Sequence, residues 1–151
     1  MAGGSGVTRP IAVAPILRRL MSSLDKVNLE RGIDCTIEVE AQLLLRADEG
    51  DLFELLGNLL ENAYKHCHQR VRVRGWPEHG HVRMAFEDDG DGVPASAAER
   101  ILRRGERADL RHPGEGIALA VDSEIVRQYR GELAVDRSPL GGARIRVTLP
   151  A

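Results

Sequence analysis

The sequence contains few of the residues that mark a disulfide scaffold, a zinc site or an aromatic core. Its 151 residues include two cysteines, Cys35 and Cys67, which are too few and too far apart for a zinc site or a disulfide framework. We interpret both as reduced thiols, with Cys67 in the core. Aromatic residues make up only 3% of the chain, so the core must be aliphatic. No apolar run approaches the roughly 18 residues that a membrane-spanning helix requires, and no stretch has the pattern of a signal peptide.

A strong charge of one sign is also lacking. Lysine and arginine number 21 against 23 aspartates and glutamates, for a formal net charge of −2. This balance gives no reason to expect a nucleic acid or an anionic membrane surface as partner, or direct membrane insertion by this chain. The length fits one domain with its own core. We expect residues 1–8 to be a flexible leader of natural or artificial origin, and residues 9–151 to be the domain.

A helix with one polar face is the first positive signal. Asn58, Glu61, Asn62 and Lys65 stand at spacings i, i+3, i+4 and i+7, so they share one face of a helix. We expect Asp51 to be the N-cap of this helix. Amide oxygens can coordinate a hard cation, and a lysine supplies a positive charge for a phosphate. The opposite side of the helix carries Leu52, Leu56, Leu59, Leu60, Ala63 and Cys67.

Two glycine-rich stretches follow the polar helix. The first, Asp88-Asp89-Gly90-Asp91-Gly92, ends a predicted strand, and its glycines allow the backbone to approach a flat base closely. An aspartate at a strand end can accept a hydrogen bond from an exocyclic amine, although Asp88 and Asp89 could also be simple turn residues. We interpret Asp89 and Asp91 as solvent-facing spacers. The second stretch, Gly114-Glu115-Gly116, opens a predicted helix, whose N-terminus favours a phosphate. The sequence therefore predicts a site for a nucleotide with a metal ion.

Hydrophobic periodicity predicts an α+β fold, with one mixed or antiparallel sheet and its helices on one face. The predicted helices and strands are, in order, a helix at 11–30, a strand at 33–39, the polar helix, a hairpin at 71–74 and 82–86 turned at 77–80, a short helix at 95–103, a loop at 104–113, a helix at 116–129 and a hairpin at 132–136 and 143–149.

The polar helix and the two glycine stretches resemble the N, G1 and G2 boxes of the GHKL ATP-binding superfamily. That superfamily includes sensor histidine kinases, type II topoisomerases, mismatch-repair MutL and the ninety-kilodalton heat-shock chaperone. The resemblance runs from about residue 10 to residue 149. It implies the two-layer sandwich called the Bergerat fold, with loop 104–113 as an ATP lid. The chain is particularly similar to the catalytic domains of PhoQ-type sensor kinases, in the stretches Leu56-Gly57-Asn58, Glu87-Asp88-Asp89-Gly90, Arg104-Gly105-Glu106-Arg107, Leu119-Ala120-Val121 and Leu140-Gly141-Gly142-Ala143-Arg144.

The resemblance implies a role for each candidate site residue. Adenine would bind at Asp88, Mg²⁺ at Asn62 with Asn58 as a second ligand, and phosphates at Lys65. Glu115 occupies a position where relatives carry a polar side chain near the metal, and its carboxylate could bind magnesium or repel phosphate. His66 could stack on the base or be an exposed surface histidine. The ATP-binding set that the resemblance implies is Asn58, Asn62, Lys65, His66, Asp88, Gly90, Gly92, Arg107, Gly114, Glu115, Gly116 and Leu119, with Asn58, Asn62 and Glu115 as metal ligands.

Asn58 distinguishes a kinase from a hydrolase. Hydrolytic branches of the superfamily have a water-activating glutamate four residues before the metal-binding asparagine, and an amide cannot act as a general base. Glu61 is the remaining carboxylate, a candidate catalytic base or simply a charge on the helix face. No histidine of the chain lies in a phosphoacceptor pattern. We therefore expect a catalytic module that transfers the γ-phosphate of ATP to a histidine on a separate dimerisation domain.

The resemblance also implies a setting for such a module. It would be the cytoplasmic part of an inner-membrane sensor that signals to a response regulator. Two other functions stay open at this point, which are a nucleotide-binding regulatory module without transfer activity and a GHKL-type ATPase.

Overall fold

The computed structural model describes residues 7–92 and 115–151, with side chains in the second range described from residue 121. Seven strands and three α-helices lie in these residues. In chain order they are β1 (Arg9–Ala12), α1 (Val13–Val27), β2 (Asp34–Val39), β3 (Leu44–Ala47), α2 (Glu49–His66), β4 (Arg70–Glu78), β5 (His81–Asp88), α3 (Glu115–Gln128), β6 (Glu132–Arg137) and β7 (Ala143–Pro150).

The main sheet is five-stranded, with strand order β2-β4-β5-β7-β6. The β2–β4 pair is parallel, and the other three pairs are antiparallel. Strands β1 and β3 form a separate antiparallel ribbon. The expected α+β fold with a mixed sheet is therefore confirmed.

Successive side chains of each strand point to opposite faces of the sheet, so one face is buried and the other is the outer face. The buried face packs against the helices and carries Val71, Val73, Val82, Met84, Phe86, Ile145, Val147 and Leu149. On the outer face, Glu87 is fully buried beneath arginines, where it accepts hydrogen bonds from Arg72 Nε at 2.6 Å and Arg74 Nη2 at 3.1 Å. A buried carboxylate needs such charged partners. The pairing stabilises the end of β5, immediately before Asp88.

Helix α2 has side-chain partners at both ends. Asp48 is its N-cap, since the Asp48 carboxylate accepts a hydrogen bond from the Asp51 backbone N–H at 3.1 Å. The expectation that Asp51 caps the helix is wrong because the helix already begins at Glu49; Asp51 is buried and accepts from the Tyr129 hydroxyl at 2.7 Å. At the other end, the Arg31 guanidinium donates to the carbonyls of Tyr64 at 2.7 Å and Cys67 at 3.0 Å.

Two short strands and one turn differ from the sequence-based expectation. The helix predicted at 11–30 begins at Val13, after β1, and ends at Val27, and neither β1 nor β3 was predicted. The two strands pair with each other in the two-stranded ribbon. Each has four residues, which is too short for a clear alternation of apolar and polar side chains. The β4–β5 turn is tighter than the predicted 77–80, because His79 and Gly80 both have positive φ, at 51° and 79°. The predicted short helix at 95–103 and the lid loop at 104–113 lie outside the described residues. None of the helices in the described residues is long and apolar enough to cross a membrane.

Candidate functional site

The polar face predicted for α2 is present in the structure. Asn58 and Asn62 are partly exposed there, and Glu61 and Lys65 are exposed. The opposite side is buried at every predicted position, namely Leu52, Leu56, Leu59, Leu60, Ala63 and Cys67. The structure thus brings two amides, a carboxylate and an ammonium group together on one accessible helix face.

Asn58 is joined to a buried carboxyl group on α3. Asn58 Nδ2 donates to Asp122 Oδ1 at 3.0 Å, and Asp122 is fully buried. Burial raises the pKa of Asp122 to about 8, opposed by the Asn58 hydrogen bond and assisted by the negative charge of Glu54. Asp122 Oδ2 has no hydrogen-bond partner within the described residues.

Asp122 was not predicted from the sequence. Its spacing with Ile125, Val126 and Tyr129 places it on the apolar stripe of α3, and a carboxylate on such a stripe is the signal that could have identified it.

Asp88 lies at the end of β5, held by two backbone donors. Its Oδ1 atom accepts from Gly90 N at 2.9 Å and from Ala143 N at 3.2 Å, and its carbonyl accepts from Gly142 N at 3.1 Å. Within the described residues, both hydrogen bonds to the side chain go to Oδ1, so Oδ2 is the atom that could accept from a further donor. Burial raises the pKa of Asp88, opposed by the hydrogen bonds from the two backbone amides.

Glycines allow three segments to meet around Asp88. A Cβ on Gly90 would lie 1.9 Å from the carbonyl oxygen of His66, at the end of α2. A Cβ on Gly142 would lie 2.1 Å from Asp88 Oδ1. Gly92 has a φ of 81°, which also favours glycine. The end of α2, the loop after β5 and the β6–β7 turn therefore converge here, and sequence analysis gave Gly142 and Ala143 no role in the site.

The interpretation of Asp89 as a solvent-facing spacer is wrong. Its carboxylate accepts hydrogen bonds from the backbone N–H groups of His68 at 2.8 Å, Gln69 at 3.1 Å and Arg70 at 3.1 Å. Partial burial raises the pKa of Asp89, but the three backbone donors outweigh it and lower the pKa overall. Asp89 thus joins the loop after β5 to the segment between α2 and β4. Asp91 is exposed, as expected, and lies 3.3 Å from His68 Nε2.

The structure describes only some of the remaining predicted site residues. His66 ends α2, is partly exposed, and lies near enough to Asp88 to lower the pKa of that carboxyl. Glu115, Gly116 and Leu119 lie in the first turns of α3, where the backbone alone is described. Arg107 and Gly114 lie outside the described residues.

The amide oxygens on α2 suit a cation that takes most of its ligands from water and phosphate. In the part of the chain that the structure describes, no group of three or more histidine, cysteine, aspartate or glutamate side chains could hold a metal ion. Asn58 and Asn62 lie one turn apart and offer neutral amide oxygens. Magnesium typically keeps several waters and shares phosphate oxygens, and such an ion fits these residues.

Comparison with known proteins identifies the fold and the family. The family model described as histidine kinase-, DNA gyrase B- and HSP90-like ATPase matches residues 47–151. The chain is 47% identical over 135 residues to the two-component sensor PhoQ of Pseudomonas aeruginosa, which covers 89% of this chain and 30% of that sensor. It is 38% identical over 148 residues to the sensor protein PhoQ of Escherichia coli K12, covering 97% of this chain and 30% of that protein. The chain therefore spans about a third of the length of the curated relatives it matches.

Solved structures have the same architecture. The mycobacterial sensor histidine kinase MprB superposes with a TM-score of 0.80 at 26% identity, over 95% of this chain and 97% of that one. Full-length ShkA, solved in complex with AMPPNP, superposes with a TM-score of 0.84 at 27% identity, over 99% of this chain and 32% of that one. Together with the polar face of α2 and the glycine-lined junction at Asp88, these matches establish that the chain belongs to the histidine kinase-, DNA gyrase B- and HSP90-like ATPase family, as a catalytic ATP-binding domain of the sensor histidine kinase type.

Proposed function

We propose that residues 9–151 form one domain that binds ATP with Mg²⁺ and transfers its γ-phosphate to a histidine on a separate dimerisation domain. The observation that carries this proposal is the contact between the end of α2 and the loop after β5. That contact brings His66, which lies one turn beyond Asn62 on α2, next to the loop that carries Asp88. One end of the site can therefore recognise a base, and the other can hold a cation and phosphates.

Asp88 is proposed to select adenine. Its Oδ1 atom already accepts two backbone hydrogen bonds, so the Oδ2 atom would accept from the exocyclic amine of the base. Guanine presents a carbonyl oxygen in place of that amine and would meet a second acceptor. Gly90 and Gly92 have no side chains to block the approach of the base to Asp88. His66 lies near the same carboxylate.

The phosphates and the metal are proposed to lie along α2 and the start of α3. Asn62 and Asn58 would supply amide oxygens to Mg²⁺, with Glu115 as a third candidate ligand, and Lys65 would meet a phosphate. When bound, the ion would neutralise charge on the transferred phosphoryl group. The first turn of a helix has backbone N–H groups without partners inside the helix, and those of α3 would favour phosphate. The nucleotide analogue bound by ShkA supports this type of ligand. The remaining residues proposed for ATP binding are Arg107, Gly114, Gly116 and Leu119.

Glu61 is proposed as the catalytic base. Its carboxylate is exposed on the same face of α2 as the two amides. In the transfer step a nitrogen of the incoming imidazole would bond to the γ-phosphorus, the bond from that phosphorus to the β–γ bridging oxygen would break, and ADP would leave. The proton of the imidazole would pass to Glu61. Asn58 cannot activate water, so hydrolysis of ATP should be slow.

The parent protein and its partners extend this proposal. One curated relative is named a two-component sensor and the other a sensor protein, and each is about three times as long as this chain. We propose that this domain is the cytoplasmic catalytic part of an inner-membrane sensor. It would act on a dimerisation and phosphoacceptor domain of the same protein, and a response regulator would receive the phosphate.

Phosphate transfer in trans tests the proposed activity. The chain would be mixed with γ-labelled ATP, Mg²⁺ and a separate dimerisation domain that carries an acceptor histidine. We expect a labelled phosphohistidine, formed at a rate limited by encounter because no tether raises the effective concentration. The Glu61→Gln variant should transfer about a hundredfold more slowly, whereas its affinity for ATP should be unchanged.

The matched control is Glu30→Gln, which removes an exposed carboxylate outside the proposed site and should leave transfer unaffected. Full transfer by Glu61→Gln would overturn the assignment of the base. ATP binding without any transfer would favour the regulatory module instead, and brisk ATP hydrolysis without an acceptor would favour an ATPase.

A further inference from the structure

Asp122 is a buried carboxyl group that the proposed nucleotide site does not use. It lies on α3, has no exposed surface, and shares the buried stripe of that helix with the core residues Ile125 and Val126. Its one hydrogen bond in the described structure joins Oδ1 to the side chain of Asn58 on α2. Its second oxygen is also buried and has no partner within the described residues.

This arrangement costs stability. A buried polar atom without a hydrogen bond is destabilising, and a buried carboxylate more so. An apolar residue at position 122 would pack between α2 and α3 without that cost. The hydrogen bond to Asn58 is therefore the contribution that an apolar residue could not make. We look for the role of Asp122 in its effect on Asn58 rather than in the stability of the fold.

The bond sets the orientation of the Asn58 amide. A side-chain amide is planar and carries its nitrogen and its oxygen on the same carbon, pointing in different directions. With Nδ2 held 3.0 Å from Asp122 Oδ1, the amide cannot turn without breaking this bond. Asn58 is partly exposed on the polar face of α2, so its oxygen is the atom left for that face.

We propose that Asp122 is a positioning residue, which orients the Asn58 amide so that its oxygen is presented toward the metal and phosphates of the bound nucleotide. The proposal rests on the proposed function, because it gives Asn58 a ligand to meet. Asp122 itself contacts no ligand in this scheme and acts only through Asn58. Partners of this kind typically change metal affinity about ten- to a hundredfold when they are removed.

Three substitutions separate positioning from a purely structural role. Asp122→Ala removes the acceptor, and Asp122→Val removes it while filling the space with methyl groups. Asp122→Asn keeps an oxygen that can accept from Asn58 Nδ2. We expect the first two to fold, with melting temperatures no lower than that of the wild type, and to lose about tenfold or more in the affinity for ATP with Mg²⁺. The third should keep near wild-type affinity.

Titration of nucleotide with and without Mg²⁺ measures this effect. The loss in Asp122→Ala should appear with Mg²⁺ and largely disappear with a chelator. In an Asn58→Ala background, Asp122→Ala should cause no further loss of affinity. An undiminished affinity of Asp122→Ala and Asp122→Val, or the same loss with and without Asn58, would overturn the proposal. A large fall in melting temperature with unchanged affinity would also overturn it, because the role would then be structural.

A spectroscopic measurement on the nucleotide-free protein keeps the two proposals distinguishable. The side-chain NH₂ resonance of Asn58, assigned by its disappearance in Asn58→Ala, should shift in Asp122→Ala and stay close to its wild-type position in Asp122→Asn. An unmoved resonance in Asp122→Ala would refute the positioning bond whatever the ligand. If the resonance moves as expected but the wild type binds no nucleotide, the proposed function fails and the positioning role fails with it.

Discussion

At the residue scale, the candidate site depends on carboxylates held by backbone N–H groups. Asp88 has two such donors on one oxygen, and Asp89 has three, of which two precede β4 and the third is its first residue. Backbone donors are held in place by the fold, and their hydrogen bonds to a carboxylate are strong enough to fix its orientation. Asp88 is therefore oriented before any ligand arrives.

Replacing Asp88 by asparagine tests its proposed role toward adenine. The amide oxygen of Asp88→Asn can still accept from Gly90 and Ala143, so we expect the fold and the melting temperature to be maintained. The amide would present a donor to the exocyclic amine, and the lost bond to a charged acceptor is worth about 1.5–3 kcal/mol, roughly a ten- to a hundredfold loss of affinity for ATP. Calorimetric titration measures this loss. Asp91→Asn, in the same loop but exposed, is the control, and equal affinities of all three proteins would refute the role of Asp88.

Gly142 gives a second prediction at this scale. A Cβ there would lie 2.4 Å from Gly90 N and 2.1 Å from Asp88 Oδ1, so Gly142→Ala should displace the Asp88 carboxylate. We expect the free energy of unfolding to fall by about 1–3 kcal/mol and the affinity for ATP to fall with it.

Gly57→Ala is the contrast for Gly142→Ala. Among the residues that the structure describes, the added methyl group on Gly57 would meet Leu20 Cδ2 alone, at 3.7 Å. Alanine favours the helix by roughly 1 kcal/mol relative to glycine, so this variant should be more stable than the wild type. Urea denaturation compares the two variants, and an equal or higher stability of Gly142→Ala would contradict the tight junction.

The site residues that the sequence predicts are recognised from local spacing, whereas those that it misses depend on contacts between distant segments. The polar face of α2 follows from spacing within one helix, and spacing is visible in the sequence. The roles of Asp89 and Asp122 depend on contacts with chain segments about 20 and 64 residues away. No local pattern encodes such contacts, so an aspartate in a glycine-rich turn was interpreted as a solvated spacer.

At the element scale, long elements with a strong period were predicted well and short ones were not. Helix α2 and the strands of the two hairpins were found because hydrophobic alternation continues over many residues. Strands β1 and β3 have four residues each. They pair with each other although α1 and β2 lie between them in the sequence, so their pairing depends on the tertiary fold. The N-cap was misplaced because Asp48 and Asp51 are both good capping residues, and the backbone conformation of residue 48 decides between them.

Asp89 provides a prediction about pH, because it joins the end of β5 to the entry of β4. Its pKa is lower in the folded state than in the unfolded state, so the ionised carboxylate stabilises the fold above about pH 4. This contribution is lost as the pH falls through the folded-state pKa. We expect Asp89→Asn to be less stable than the wild type by about 1 kcal/mol at pH 7, and the difference to vanish toward about pH 3.

Denaturant titrations of the two proteins across this pH range provide the check. A gap that is the same at every pH would show that the charge of Asp89 contributes nothing. A gap that widens toward acid would contradict the direction of the pKa shift.

At the scale of the whole molecule, the chain is a catalytic domain whose proposed partners lie outside it. The curated relatives that it matches are about three times as long, so the acceptor histidine is expected on another segment of the parent protein. The sheet and its aliphatic core hold α2 and α3 against each other and bring the end of α2 to the loop after β5. The proposed chemistry then depends on which nucleotide fits between them and on whether magnesium assists.

Calorimetric titration of the wild-type chain with ATP and with GTP, each with Mg²⁺ and with a chelator, tests this account most directly. The account predicts that ATP binds at a single site, that Mg²⁺ strengthens binding, and that GTP binds at least about tenfold more weakly, a difference of roughly 1.4 kcal/mol. Equal affinities for ATP and GTP would contradict the assignment of Asp88 to adenine. An affinity for ATP that is the same with and without Mg²⁺ would contradict the assignment of the α2 amides to a metal ion.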